Sequence, residues 1–251
     1  MGFVGDNGSG KTTTLSIVSG CQRPSAGTVT FENKSIFDNL AHYHAQIGYL
    51  PDRLPLYPNA TVLQNLTYAA KLKGVESPQE RVHEVLERFN LQQISPVKVR
   101  TLSKGWTQWV GIAQAWVSKP KLLLLDEPTS GLDPSGRQRF CHWLEEIRQK
   151  GHTVFFSSHI LGEVESVCDR ILWLDNGRLI EKDHTNTLRM RCVIASLDNI
   201  DNLGDTLQQC EGVLQVRQHP QGLDVTCTTE ARTMVAQTVA PYGLLEFRKL
   251  S

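Results

Sequence analysis

Two stretches of this sequence hold residue types whose chemistry is specific. Gly5-Asp6-Asn7-Gly8-Ser9-Gly10-Lys11-Thr12 fits the pattern G-x-x-x-x-G-K-[ST]. Its glycines let the backbone curl so that successive N–H groups aim at phosphate oxygens, at the positive end of the following helix. Lys11 adds a flexible cation for the β- and γ-phosphates, and the Thr12 hydroxyl can ligate Mg²⁺. Leu122–Leu125 is a wholly apolar run that ends in Asp126-Glu127-Pro128. A buried strand of this kind presents carboxylates at its C-terminal end, where open α/β sheets bind ligands. Asp126 can hold the metal's hydration shell and Glu127 can polarise an attacking water. Alone, each stretch has a bland reading, a glycine-rich turn or a strand-end acidic pair. In this order on one chain they point to chemistry on a nucleoside triphosphate.

The elements that must position these residues alternate between strand and helix, the sign of an α/β domain with a mainly parallel sheet. Met1–Val4 is a strand stump feeding the glycine-rich loop, and a helix follows from Lys11 to about Gly20. Gly27–Phe31 and Ala45–Leu50 are expected strands, the first followed by a polar turn at Glu32–Lys34. Thr61 can cap a helix over Val62–Lys73, and Ser77-Pro78-Gln79-Glu80 has the form of a capping box with Pro at the first helical position. Behind it Val82, Val85, Leu86 and Phe89 share one helical face. A third helix is expected from Gly105 to Val117, then the strand Lys121–Leu125, a helix over Ser135–Lys150 and a strand at Thr153–Ser157. Ile160–Cys168 is a short helix. Ile171–Asp175 and Arg178–Glu181 flank Asn176-Gly177, a strong hairpin signal. From about Asp183 the character changes: strands at Val193–Ala195, Val213–Gln218, Leu223–Cys227 and Leu244–Lys249, with helices at Ile200–Gln209 and Ala231–Val239, suffice for a small α+β appendage.

Further residues make the resemblance specific. Leu102-Ser103-Lys104-Gly105-Trp106, upstream of Asp126, resembles the L-S-G-G-Q signature of ABC-transporter nucleotide-binding domains. Ser130-Gly131-Leu132-Asp133 looks like their D-loop, and Ser157-Ser158-His159 like their switch histidine. The resemblance covers residues 1–182. It implies a P-loop NTPase fold with an inserted helical subdomain at about 52–118, and an appendage at 183–251. It implies ATP and Mg²⁺ as cofactors, with Gly5, Asn7, Gly8, Ser9, Gly10, Lys11, Thr12 and Thr13 holding ATP. Thr12, Asp126 and Asp52 stand near the metal, and Glu127 and His159 are the implied catalytic pair. Such domains form head-to-tail dimers around two ATP molecules, so Ser103 and Gly105 would face the partner's γ-phosphate and Asp133 would pack across the dimer. The partner would be an identical or a related subunit.

Arg53–Pro58 followed by Asn59-Ala60-Thr61-Val62 resembles exporter-type subunits, where this region receives a helix of the membrane permease. Leu54, Leu56 and Tyr57 are then apolar anchors for that permease, or members of a satellite hydrophobic cluster. The appendage is too short for the regulatory barrel of sugar importers, which again favours an exporter. The expected location is the cytoplasmic face of a membrane.

Several positions depart from the family pattern. Asp52 stands where the family has Gln, Lys104 for Gly, Trp106 for Gln and Trp109 for Arg. The tryptophans are either packing residues or contacts with the partner's nucleotide or the permease. The family's strands before the P-loop, with their adenine-stacking aromatic, have no counterpart. The expectation is therefore a truncated start, weakened ATP affinity and an open edge on the strand at Gly2–Val4. These departures keep alive a catalytically impaired subunit, beside the rival of a soluble, non-transport ABC ATPase.

Composition closes other routes. Lys+Arg and Asp+Glu both number 26, so no overall field favours nucleic acid. No apolar run approaches the roughly 20 residues that span a bilayer, so transport would need separate membrane chains. The N-terminus has no secretory pattern. Six dispersed cysteines without a C-x-x-C pair suggest reduced thiols.

Overall fold

The computed structural model describes residues 1–175, 177–182, 187–194, 200–228 and 231–249. The chain forms two compact units, Met1–Lys182 and Asp183–Ser251.

The first unit is built on a six-stranded sheet. Its strands are β1 (Gly2–Gly5), β4 (Ile47–Leu50), β5 (Leu122–Leu125), β6 (Thr153–Ser158), β7 (Ile171–Asp175) and β8 (Arg178–Lys182). The spatial order is β4-β5-β6-β1-β7-β8, parallel except for the β7–β8 hairpin. Leu123, Leu124 and Leu125 are fully buried, as a strand covered on both faces requires. β1 is paired on one side with β6 and on the other with β7. The open edge expected at Gly2–Val4 therefore does not exist; Ile171–Asp175 returns to the centre of the sheet and closes it. Asn176 of the expected hairpin lies outside the described residues.

Between β1 and β4 the local structure differs from the sequence expectation. Only β2 (Thr30–Phe31) and β3 (Lys34–Ser35) pair, because Glu32 and Asn33 take φ of 49° and 61° and turn the chain in two residues. Residues 45 and 46, expected in a strand, end α2 (Leu40–Gln46). This short helix starts at Asn39, whose side chain accepts the His42 N–H. Its C-terminal end is held from outside, where Lys73 Nζ donates to His44 O and Ile47 O. A tertiary bond of that kind leaves no mark in local sequence.

Three helices follow: α3 (Val62–Leu72), α4 (Pro78–Arg88) and α5 (Lys104–Trp116). Val82, Val85, Leu86 and Phe89 are all buried, as their spacing requires. Ser77 makes no side-chain capping bond, although Pro78 does open α4; the reciprocal capping box is instead at Thr61 and Gln64. α5 lies close against β4 and the loop after it. A Cβ on Gly111 would come within 2.7 Å of Leu54 Cδ2 and 2.9 Å of Leu50 Cδ1. Trp109 is buried there, under the guanidinium of Arg139 at 4.0 Å and beside Phe89. α1 (Lys11–Val18), α6 (Pro134–Gln149) and α7 (Leu161–Val167) complete the unit.

The second unit runs β9 (Thr187–Ile194), α8 (Ile200–Gln208), β10 (Val213–His219), β11 (Gly222–Thr228), α9 (Arg232–Val239) and β12 (Leu244–Lys249). Its antiparallel sheet has the order β10-β11-β9-β12, the split βαββαβ arrangement. Met190, Cys192, Ile194, Leu223, Val225 and Cys227 alternate along the inner strands and pack under Leu203, Leu207, Val235 and Val239. β9 is longer than the expected Val193–Ala195; Ala195, like Asp183, lies outside the described residues. Among the described residues no helix is long and apolar enough to cross a membrane.

Candidate active site

The neighbouring strands β4, β5, β6 and β1 all end at the same edge of the sheet, and each hands a polar loop to one cleft of about 370 Å³. β1 supplies Asn7, Gly8, Gly10, Lys11, Thr12 and Thr13; β4 supplies Asp52; β5 supplies Glu127 and Ser130; β6 supplies His159. The loop after β1 curls because Gly10 takes φ of 107°, a conformation that L side chains rarely adopt. Lys11 is buried and folds back, its Nζ donating to Gly5 O at 2.7 Å and Asp6 O at 3.1 Å, 3.9 Å from Glu127 Oε1. Ser9 Oγ is buried inside the loop without a protein partner. No Phe, Tyr or Trp is among the residues that line the cleft.

At the end of β5 the two carboxylates sit in different settings. Asp126 is 1 % exposed; its Oδ1 accepts from Ser157 Oγ at 2.6 Å, while Oδ2 is buried with no protein partner. Buried carboxylate oxygens are rarely left unpaired. Asp126 is not among the residues that line the cleft, unlike Thr12 and Asp52; the oxygen chemistry of its orphaned Oδ2, the Thr12 hydroxyl and the Asp52 carboxylate suits a hydrated Mg²⁺.

Glu127 has φ of 46°. A bulky residue in that region costs about 1–3 kcal/mol and persists only where neighbours over-determine it. Here its N–H donates to Ser157 Oγ at 2.9 Å, and its Oε2 lies 2.7 Å from His159 Nδ1. The strain turns its side chain into the cleft.

Ser103, Gly105 and Asp133 do not line this cleft. They meet in another, of about 710 Å³, together with Trp106 and Arg139. Ser103 caps α5 by accepting the Trp106 N–H, and Trp106 is 38 % exposed. Asp133 caps α6: the Gly136 N–H and the Ser135 hydroxyl bind its carboxylate and hold its pKa below the usual range. Of the three residues in the loop after Asp52, Leu54 and Leu56 pack half-buried against the core, whereas Tyr57 is 54 % exposed, edge-on to Tyr68 at 5.3 Å between centroids.

Three contributors were given no role from sequence, although Ser157 stood in the stretch that ends in His159. Ser157 joins both carboxylate residues. Gln108, a polar residue inside the apolar run of α5, donates to Pro128 O at 2.9 Å and Glu127 O at 3.5 Å. Its position in that run was the available signal. Glu163 accepts from Thr129 Oγ1 at 2.7 Å and Ser158 Oγ at 3.1 Å, tying the loop after β5 to the end of β6. Nothing in local sequence marks that bond.

Known proteins resemble this chain in sequence and in fold. The model of the ABC transporter family matches residues 1–130. The linearmycin resistance ATP-binding protein LnrL of Bacillus subtilis is 36 % identical over 182 residues, 72 % of this chain and 58 % of that protein. The bacitracin transport ATP-binding protein BcrA of Bacillus licheniformis is 36 % identical over 191 residues, 76 % of this chain and 62 % of that one. The chain thus spans about three fifths of the length of these curated relatives. Among solved structures, a bacterial ABC transporter cassette in dimeric form superposes with a TM-score of 0.67 at 26 % identity, covering 73 % of this chain and 84 % of that one. The same cassette has been solved bound to ADP and Pi, in a post-hydrolysis state. From the family match, these relatives and the cleft at the end of β1, β4, β5 and β6, this chain belongs to the ABC transporter family, among its ATP-binding proteins.

Proposed function

We propose that the chain binds and hydrolyses ATP to drive an ABC exporter, as a subunit that dimerises on ATP and docks on a membrane permease at the cytoplasmic face. One observation carries the hydrolytic part: the buried, unpaired Oδ2 of Asp126 stands beside Glu127, whose strained backbone and His159 contact aim its carboxylate into the phosphate cleft. A subunit that only bound nucleotide would have no need of that strain.

The roles follow from position. The N–H groups of residues 7–13 cradle the phosphates at the start of α1. Lys11 exchanges its contacts with Gly5 O and Asp6 O for phosphate oxygens. Thr12, Asp126 and Asp52 would hold Mg²⁺, which would supply positive charge against that developing on the phosphates. Glu127 takes the proton of the attacking water as it approaches the γ-phosphate, and His159 fixes the carboxylate through Nδ1. Ser103 and Gly105 open α5, whose N-terminal N–H groups suit the γ-phosphate held by a second subunit; Asp133 stands in the same cleft. That a similar cassette has been solved as a dimer supports a second subunit. The helices between 52 and 118, with Tyr57 exposed, form the surface for the permease. The resistance and bacitracin-transport names of the relatives favour export.

The test is phosphate release by the purified chain with MgATP, beside Glu127→Gln. Turnover should fall about 10²–10⁴-fold in the variant while ATP binding is kept, and the ATP-bound variant should run as a dimer on a sizing column. A variant that turns over like the wild type, or stays monomeric with ATP, removes the reading.

A further inference from the structure

We infer that Gln108 is a positioning residue that ties α5 to the backbone of Glu127, so that a phosphate engaged at Ser103 is felt at the catalytic carboxylate of the same chain. This rests on the ATPase reading above and adds a route between its two clefts.

Gln108 is 6 % exposed on a helix whose neighbouring residues Val110, Ile112 and Ala113 are buried and apolar. An amide in such surroundings needs partners. Gln108 finds them on another element, the Pro128 and Glu127 carbonyls. Both are acceptors, which fixes the amide with its NH₂ toward them.

The backbone of Glu127 is consequently held on two sides. Ser157 accepts its N–H from β6, and Gln108 donates to its C=O from α5. Those two bonds flank the one residue of the β5 loop whose φ, at 46°, needs outside support.

Ser103 caps the same helix, five residues away, or about 7–8 Å of rigid rise. A helix moves as a unit, so a displacement at its first N–H groups reaches Gln108. The contact at Pro128 is already short, at 2.9 Å, whereas the one at Glu127 stands at 3.5 Å, the long limit of a hydrogen bond. A small advance of α5 tightens it. Catalytic bonds that are long without ligand and shorten in the complex follow this pattern.

The experiment uses the full chain with Gln108→Leu, Gln108→Met, Ser103→Ala and the double variant Ser103→Ala/Gln108→Leu. MgATP Kd is measured with a fluorescent ATP analogue, kcat by phosphate release and folding by Tm. The expected result is a kcat lower by about tenfold or more in both Gln108 variants with Kd within about twofold. The double variant should lose no more than about threefold beyond Ser103→Ala alone, because both act along one path. Unchanged kcat in either Gln108 variant overturns the proposal, as do losses that multiply in the double variant. So does a fall in kcat matched by equal falls in affinity and Tm in both, which is the signature of a core residue. A wild-type chain without turnover overturns the ATPase reading and this proposal together, whereas active wild type, inactive Glu127→Gln and unaffected Gln108 variants overturn this proposal alone.

Discussion

His159 Nδ1 and Glu127 Oε2 lie 2.7 Å apart across the mouth of the phosphate cleft. An ionised carboxylate only accepts, so Nδ1 carries the hydrogen and Nε2 is left for whatever enters the cleft. The two side chains come from adjacent strands, β5 and β6, whose register sets Leu125 beside Phe156. On the proposed function, holding the base and reading the phosphate would be tasks of one imidazole.

His159→Ala should lower kcat by about 10²-fold, because Glu127 loses its orienting partner while Lys11 and the loop N–H groups still bind phosphate. Combined with Glu127→Gln the losses should not multiply, since both act on one proton transfer. Steady-state kinetics of the single and double variants decide this. Multiplying losses would separate the two roles.

Asp126 Oδ2 leads to a metal prediction. Mg²⁺ should raise the melting temperature of the ATP complex, as any ligand of the native state does, and chelation should remove that increment. Asp126→Asn should still bind ATP through Lys11 but lose most of the Mg²⁺ increment. Calorimetry with and without chelator is the measurement. An unchanged increment in Asp126→Asn would place the metal elsewhere.

Much of this site was legible in sequence because its signals are local. The glycine-rich loop before Lys11, the Leu122–Leu125 run ending in Asp126-Glu127 and the Ser157-Ser158-His159 stretch are each recognisable within a few residues, and the fold brings Lys11, Glu127 and His159 to one cleft. The missing parts depend on distance. The pairing of β1 with β7 spans most of the first unit, so an open edge was a natural but mistaken expectation. Lys73 closing α2, Gln108 reaching Pro128 and Glu163 joining Thr129 to Ser158 are single tertiary bonds with no periodicity to reveal them. The split βαββαβ order of the second unit was hidden likewise, because strand order is a property of pairing, not of any segment.

The second unit has its own core and predicts independent folding. Residues 183–251 expressed alone should give dispersed amide resonances and a cooperative melt, of modest stability as befits a small domain. On the sheet face away from the helices, Arg191 binds Asp224 through Nε at 2.7 Å and Nη2 at 2.8 Å. The bidentate geometry makes this pair more specific than a single surface contact, so Asp224→Ala should lower the fragment's melting temperature measurably. A fragment without cooperative unfolding would mean that this core needs the rest of the chain.

The two helix starts in the 52–118 region give the last prediction, a contrast between sites of similar sequence. Thr61 Oγ1 accepts the Gln64 N–H at 3.1 Å, and Gln64 Oε1 accepts the Thr61 N–H at 2.9 Å. Ser77 has the same opportunity three residues before Glu80, yet makes no such bond. At Ser77 the work of starting the helix falls to Pro78, whose fixed φ suits the first turn and whose missing N–H needs no cap. Thr61→Ala should therefore destabilise the chain by about 1 kcal/mol, whereas Ser77→Ala should change stability by only a few tenths. Urea denaturation resolves the difference, provided m is the same in both variants. Equal losses at the two sites would mean that the cap bonds matter less than burial of Val62 and Leu66 behind them.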